Sequence, residues 1–83
     1  MLIHVVEAKY IRDRIVWIKF DNGVEGEINL SEELQGEMFE PLRDPDFFRR
    51  FHVDNEINTI VWENGADMAP DFLFSLVQKK QAA

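Results

Sequence analysis

Ile15-Val16-Trp17-Ile18-Lys19-Phe20-Asp21-Asn22-Gly23-Val24-Glu25-Gly26-Glu27-Ile28-Asn29-Leu30 is the stretch that decides the fold. Its first six residues are β-branched or aromatic apart from one lysine, a composition that suits a pleated surface. Val16, Ile18 and Phe20 alternate with Ile15, Trp17 and Lys19, so both faces carry apolar groups and the strand reads as central and at least partly covered on each side. Asp21-Asn22-Gly23 then reverses the chain. Asn-Gly supplies the positive φ angles of a type I′ turn, whose twist matches the flanking strands. On the return, Val24, Gly26, Ile28 and Leu30 face a core, while Glu25, Glu27 and Asn29 face water.

Working outward toward the N-terminus, His4 to Arg12 alternates, with Val6, Ala8 and Tyr10 on one face and Glu7 and Lys9 on the other. Asp13-Arg14 makes a tight break before Ile15. Three strands joined by tight turns predict an antiparallel meander.

Toward the C-terminus the period lengthens. Ser31 to Leu34 reads as one helical turn with Ser31 as its cap, and Met38, Phe39 and Leu42 read as core plugs in a loop. Asp44-Pro45-Asp46 opens a short helix that ends near Arg50: Asp44 caps it, Pro45 suits its first turn, and Asp46 suits its positive end. Phe47, Phe48 and Phe51 cannot all face one way from so short an element. A strand from Phe51, a turn at Asp54-Asn55-Glu56 and a strand from Ile57 to Glu63 follow, the last predicted to join the same sheet. Asn64-Gly65 turns the chain, and Pro70 to Gln78 closes it as a helix with a stripe of Phe72, Leu73, Leu76 and Val77. Asp71 and Lys79-Lys80 sit at the ends of this helix that their charges favour. The expected fold is therefore α+β: an antiparallel sheet of four to five strands, with the short middle helix and the C-terminal helix packed on one face. Residues 1–80 form one domain, and 81–83 are expected to be a disordered tail.

At 83 residues the chain suits one domain with a modest core. It has no cysteine, which removes disulfide frameworks and thiolate metal sites. No basic segment precedes Leu2-Ile3-His4-Val5-Val6, and no apolar run approaches the roughly 20 residues of a membrane span, so a cytoplasmic location is expected. The net charge of −7 repels phosphate backbones and disfavours direct nucleic-acid binding, while suiting a basic protein partner or simply solubility.

The residues that invite a chemical reading are few. Trp62, Asn64 and Asp67 crowd a glycine turn, a corner that could hold a peptide or small polar ligand; the same residue types also serve a turn that hands a strand to a helix. Glu25 and Glu27 share a strand face; paired carboxylates can do acid–base work or bind a cation, but on a solvated strand they read as the wet face, and if the strand is an edge their charge deters edge-to-edge aggregation. His4 and His52 lack partners at metal-ligand spacing, and no metal or cofactor site is expected. Ser31 and Ser75 lack a nucleophile-elbow context, and no phosphate-cradling glycine motif occurs, so no catalytic residue is assigned. Arg43, Arg49 and Arg50 form a small basic group that could contact an acidic partner but is better read as solvated helix-end charge. Phe39, Phe47, Phe48, Phe51 and Phe74 are many rings for so small a core. They either pack on Trp17 and Trp62 or leave an exposed patch, with Phe48 and Phe51 as the residues to meet a partner.

A family likeness rests on motifs in a fixed order: Phe20-Asp21-Asn22-Gly23, then Phe39-Glu40-Pro41-Leu42-Arg43-Asp44-Pro45-Asp46-Phe47-Phe48, then Ile60-Val61-Trp62-Glu63-Asn64-Gly65-Ala66-Asp67-Met68-Ala69-Pro70-Asp71-Phe72-Leu73. From about Val5 to Leu76 the chain resembles the bacterial domain of unknown function catalogued as number 2442. The resemblance implies a small α+β domain, found alone or followed by a helix-turn-helix segment, and associated with two-gene modules of the toxin–antitoxin kind. No such segment follows the last helix here, so a DNA-binding role carried by it is not expected. No catalytic residues come with the resemblance. The expected function is a non-catalytic protein-interaction or regulatory module, the antitoxin-like half of a two-gene pair, binding either itself or the neighbouring gene product. The alternative is a small-ligand binder or weak enzyme using the Trp62–Asp67 corner.

Overall fold

A computed structural model describes the backbone of residues 3–82 and side chains through Lys80. The chain is α+β, as the sequence predicts. Strands β1 (Val5–Arg12), β2 (Ile15–Phe20) and β3 (Glu25–Asn29) form an antiparallel meander in the order β1-β2-β3. Two 3₁₀ turns follow at Ser31–Glu33 and Glu40–Arg43, then the short helix α1 (Pro45–Phe48). Strands β4 (His52–Asp54) and β5 (Thr59–Val61) pair with each other, and helix α2 (Pro70–Ala82) closes the chain. Of the expected tail, the backbone of Gln81 and Ala82 belongs to α2, and Ala83 lies outside the described residues.

The five strands fall into two sheets. The sequence places the Ile57 strand beside the meander, whereas here β5 pairs with β4 and the hairpin meets the meander side-on, through the Val5 N–H donating to the Asn58 carbonyl at 2.9 Å. The strand is also shorter than predicted. Asp54 Oδ1 accepts the N–H groups of Glu56 and Ile57, and Asn58 takes φ +59, so the loop absorbs Ile57, which is exposed.

The core lies between the inner face of the meander and α2, α1 and the second hairpin. Val16, Ile18, Phe20, Ile28 and Leu30 point into it from the meander, Leu73 and Val77 from α2, and Phe48, Ile60 and Trp62 from the rest. A register shift between Val5 and Glu7 explains why Val5, rather than Val6, is buried: the irregularity turns Val5 inward, puts Ala8 and Tyr10 on the same side, and leaves Val6 in solvent. The predicted α2 stripe shifts in the same manner. Phe72 is exposed, and Phe74 takes its place edge-on to Phe20, ring centroids 5.2 Å apart.

Local chemistry agrees with the sequence at α1, where Asp44 Oδ1 accepts the Asp46 N–H at 3.0 Å and Pro45 occupies the first turn. It differs at Ser31, which caps nothing; the preceding Asn29 accepts the Ser31 N–H instead. Met38, predicted to plug the core, is exposed, and Leu42 and the half-buried Phe39 do that work. Among the described residues, no helix is long and apolar enough to cross a membrane.

Candidate functional site

The corner from Trp62 to Asp67 is a closed turn. The Trp62 N–H donates to the Ala66 carbonyl at 2.8 Å, and the Gly65 N–H returns to the Trp62 carbonyl at 2.9 Å. Gly65 sits at φ +87, where a side chain would strain the backbone. Asn64 Oδ1 accepts the Ala66 N–H at 3.1 Å, and Asn64 Nδ2 donates to the Met38 carbonyl at 2.9 Å, tying the corner to the long loop. Val61 and Asp67 pair across the turn, and the Asp67 side chain is exposed. Trp62 is only 1% exposed. Its indole N–H donates to the Phe48 carbonyl at 2.7 Å, and its ring packs against Phe48 and Phe51 at 5.8 and 6.0 Å.

The same bonds occur at the first hairpin. The Phe20 N–H donates to the Val24 carbonyl, the Gly23 N–H to the Phe20 carbonyl, and the Val24 N–H to Asn22 Oδ1. Gly23 has φ +89, but Asn22 is not in the positive-φ region. The predicted type I′ turn is therefore replaced by a three-residue loop with a glycine bulge. Asn22 contributes its side-chain oxygen rather than a left-handed backbone. Aromatic, acid, asparagine, glycine and a small aliphatic residue recur at 20–24 and 62–66 because both places need one turn.

Of the residues singled out by sequence, the structure brings Trp62, Phe48 and Phe51 together inside the core and leaves Asn64 and Asp67 at the surface above them. Phe48 is fully buried, and Phe39, Phe47, Phe51 and Phe74 are half-buried against the core, so this set of rings packs rather than forming an open patch. The basic group is spread over local bonds. Arg43 Nε donates to the Leu34 carbonyl, Arg49 pairs with Asp46, and Arg50 reaches Glu63 at 4.0 Å. His4 lies beside Asp21 at 3.5 Å, and Ser75 donates to the Phe72 carbonyl. Among the described residues, no cluster of three or more His, Asp or Glu could hold a metal ion.

What the sequence reading passes over is the outer face of the meander. Trp17 is not packed with the phenylalanines but lies on the opposite side of the sheet, half-buried, with the Lys9 ammonium 5.4 Å from its ring centre. The register sets two rows across this face, Glu7–Lys19–Glu25 and Lys9–Trp17–Glu27. The alternation of residues 15–20 contained this signal, but the partners of Trp17 emerge only once the register is known.

Comparison with curated proteins and with solved structures finds no match. The family described as "Protein of unknown function (DUF2442)" matches residues 5–78, nearly the whole of the α+β unit with both copies of the turn, and the chain therefore belongs to that family.

Proposed function

We propose that this protein is a non-catalytic interaction module, regulatory in effect, that binds a basic protein partner as the antitoxin-like half of a two-gene pair. The observation that carries this reading is the outer face of the meander, where a half-buried tryptophan sits away from the core, framed by charged residues in fixed rows. A rigid aromatic ring in a polar frame is the arrangement that supplies most binding energy at protein interfaces. The net charge of −7 favours a basic partner and speeds encounter at low salt. The alternative, a small ligand or weak enzymatic role at the Trp62–Asp67 corner, requires ring surface that Trp62 does not present.

The test is co-expression with the product of the neighbouring gene. A complex stable at micromolar concentration is expected. Trp17→Ala, shown to melt as a folded protein, should weaken it by about tenfold or more. Absence of any complex at micromolar concentration overturns the proposal.

A further inference from the structure

We infer that the outer edge of β3 takes up an extended basic segment of a protein partner as a fourth strand of the meander. The inference rests on the interaction-module reading and adds the place and the chemistry. β3 is the last strand in the order β1-β2-β3. Its hydrogen bonds to β2 can be traced from the closing pair Phe20–Val24 to the Leu30 N–H on the Arg14 carbonyl at 2.9 Å. Between them the register alternates, so Gly26 and Ile28 bond inward to β2, while the N–H and C=O groups of Glu27 and Asn29 point away from it. An edge of this kind is a template for a further strand.

Two independent features say what that strand carries. The first is charge. On the outer face the row Lys9–Trp17–Glu27 ends at β3 in a carboxylate, so a cation suits the position beyond Glu27. The second is a pocket of about 250 Å³ on the inner side of the same edge, lined by Ile28, Asn29, Leu76, Lys79 and Lys80. A strand laid along β3 turns alternate side chains to opposite faces. The side chain opposite Glu27 stands on the wet face, and the one opposite Ile28 turns toward this pocket, whose lining includes the apolar Ile28 and Leu76. The occupant therefore alternates Lys or Arg with aliphatic residues. A second copy of the chain is disfavoured, since two-fold edge pairing about Glu27 sets that carboxylate against its own copy.

The experiment is an amide NMR titration of the full chain with the blocked peptide Thr-Leu-Lys-Val-Lys-Thr, antiparallel to β3, and with its Lys→Glu counterpart. The lysine peptide should move the amides of Glu27 and Asn29 and the methyls of Leu76, and should bind about fivefold or more tighter than the glutamate peptide. Glu27→Lys should reverse that preference. Glu27→Pro removes an N–H that the β2 ladder does not use, so it should leave the meander folded and abolish the titration. Equal binding of the two peptides, unmoved Glu27 and Asn29 amides, or concentration-dependent dimerisation through β3 overturns the inference. If the neighbouring gene product is captured equally by wild type and a folded Glu27→Pro variant, the edge is wrong and the interaction module stands. If the lysine peptide docks on β3 but that product is not captured, the edge stands and the proposed partner fails.

Discussion

The turns at Phe20–Val24 and Trp62–Ala66 share the same bonds, yet one reverses β2 into β3 and ties back to His4 through Asp21, while the other leads a hairpin toward α2. Each puts a buried aromatic first, 1% exposed in both cases, and a glycine fourth. The comparison separates what a turn needs from what is additional. Asparagine, glycine and the leading ring are accounted for by geometry at both places. What the second copy adds is the indole bond to the Phe48 carbonyl and the amide bond to the Met38 carbonyl, and both of these tie parts of the fold together. The corner that looks most chemical in the sequence is therefore explained by structure, and the meander's plain wet face carries the groups left over.

The largest expected effects lie at the two rings. Phe20→Ala and Trp62→Ala should each cost about 3–5 kcal/mol in denaturant unfolding, enough to threaten a domain of this size. Trp62→Phe keeps a ring while removing the donor to the Phe48 carbonyl, and should cost about 1–3 kcal/mol. A loss below about 1 kcal/mol for Trp62→Ala would mean the ring is not core, and would reopen the corner as a ligand site.

Next come the glycines. A Cβ built on Gly23 or Gly65 meets nothing within 4 Å, so the cost of alanine is backbone strain at φ +89 and +87 and nothing else. Gly23→Ala and Gly65→Ala should each lose about 1–2 kcal/mol, and should lose the same amount. A clear inequality would show that the two turns are not equivalent in solution.

Much of this fold was legible in the sequence, and for physical reasons. The meander announces itself because residues 15–30 alternate cleanly around an Asn-Gly signal, and Asp44-Pro45-Asp46 marks α1 because capping is local. Features that depend on distant partners stayed hidden. Val6 faces water because of a register shift that no pattern within β1 reveals. The Ile57 strand pairs with β4 rather than with the meander, because strand pairing is non-local, and its first residue joins a loop because Asp54 holds the backbone there. The candidate surface is legible only in part: Glu25 and Glu27 read as wet-face charge suited to an edge, while the pocket that this edge shares with α2 depends on packing that the local pattern does not contain.

The smallest predicted effect separates the two turns most directly. Asn22 and Asn64 each accept one backbone N–H through Oδ1, at 3.0 and 3.1 Å, but only Asn64 is seen to use Nδ2 to reach across the fold, 26 residues back to Met38. Aspartate in place of asparagine keeps the accepting oxygen and removes the donor. Asn22→Asp should therefore change stability by no more than about 0.5 kcal/mol, the range of an ordinary surface substitution. Asn64→Asp gives up the bond that fixes the Met38 loop and faces that carbonyl with a second oxygen, and should cost about 1 kcal/mol more than Asn22→Asp, read as a difference in unfolding midpoints at equal m-value. If the two substitutions cost the same, the link from Asn64 to Met38 contributes nothing in solution, and Asn64 would act as locally as Asn22.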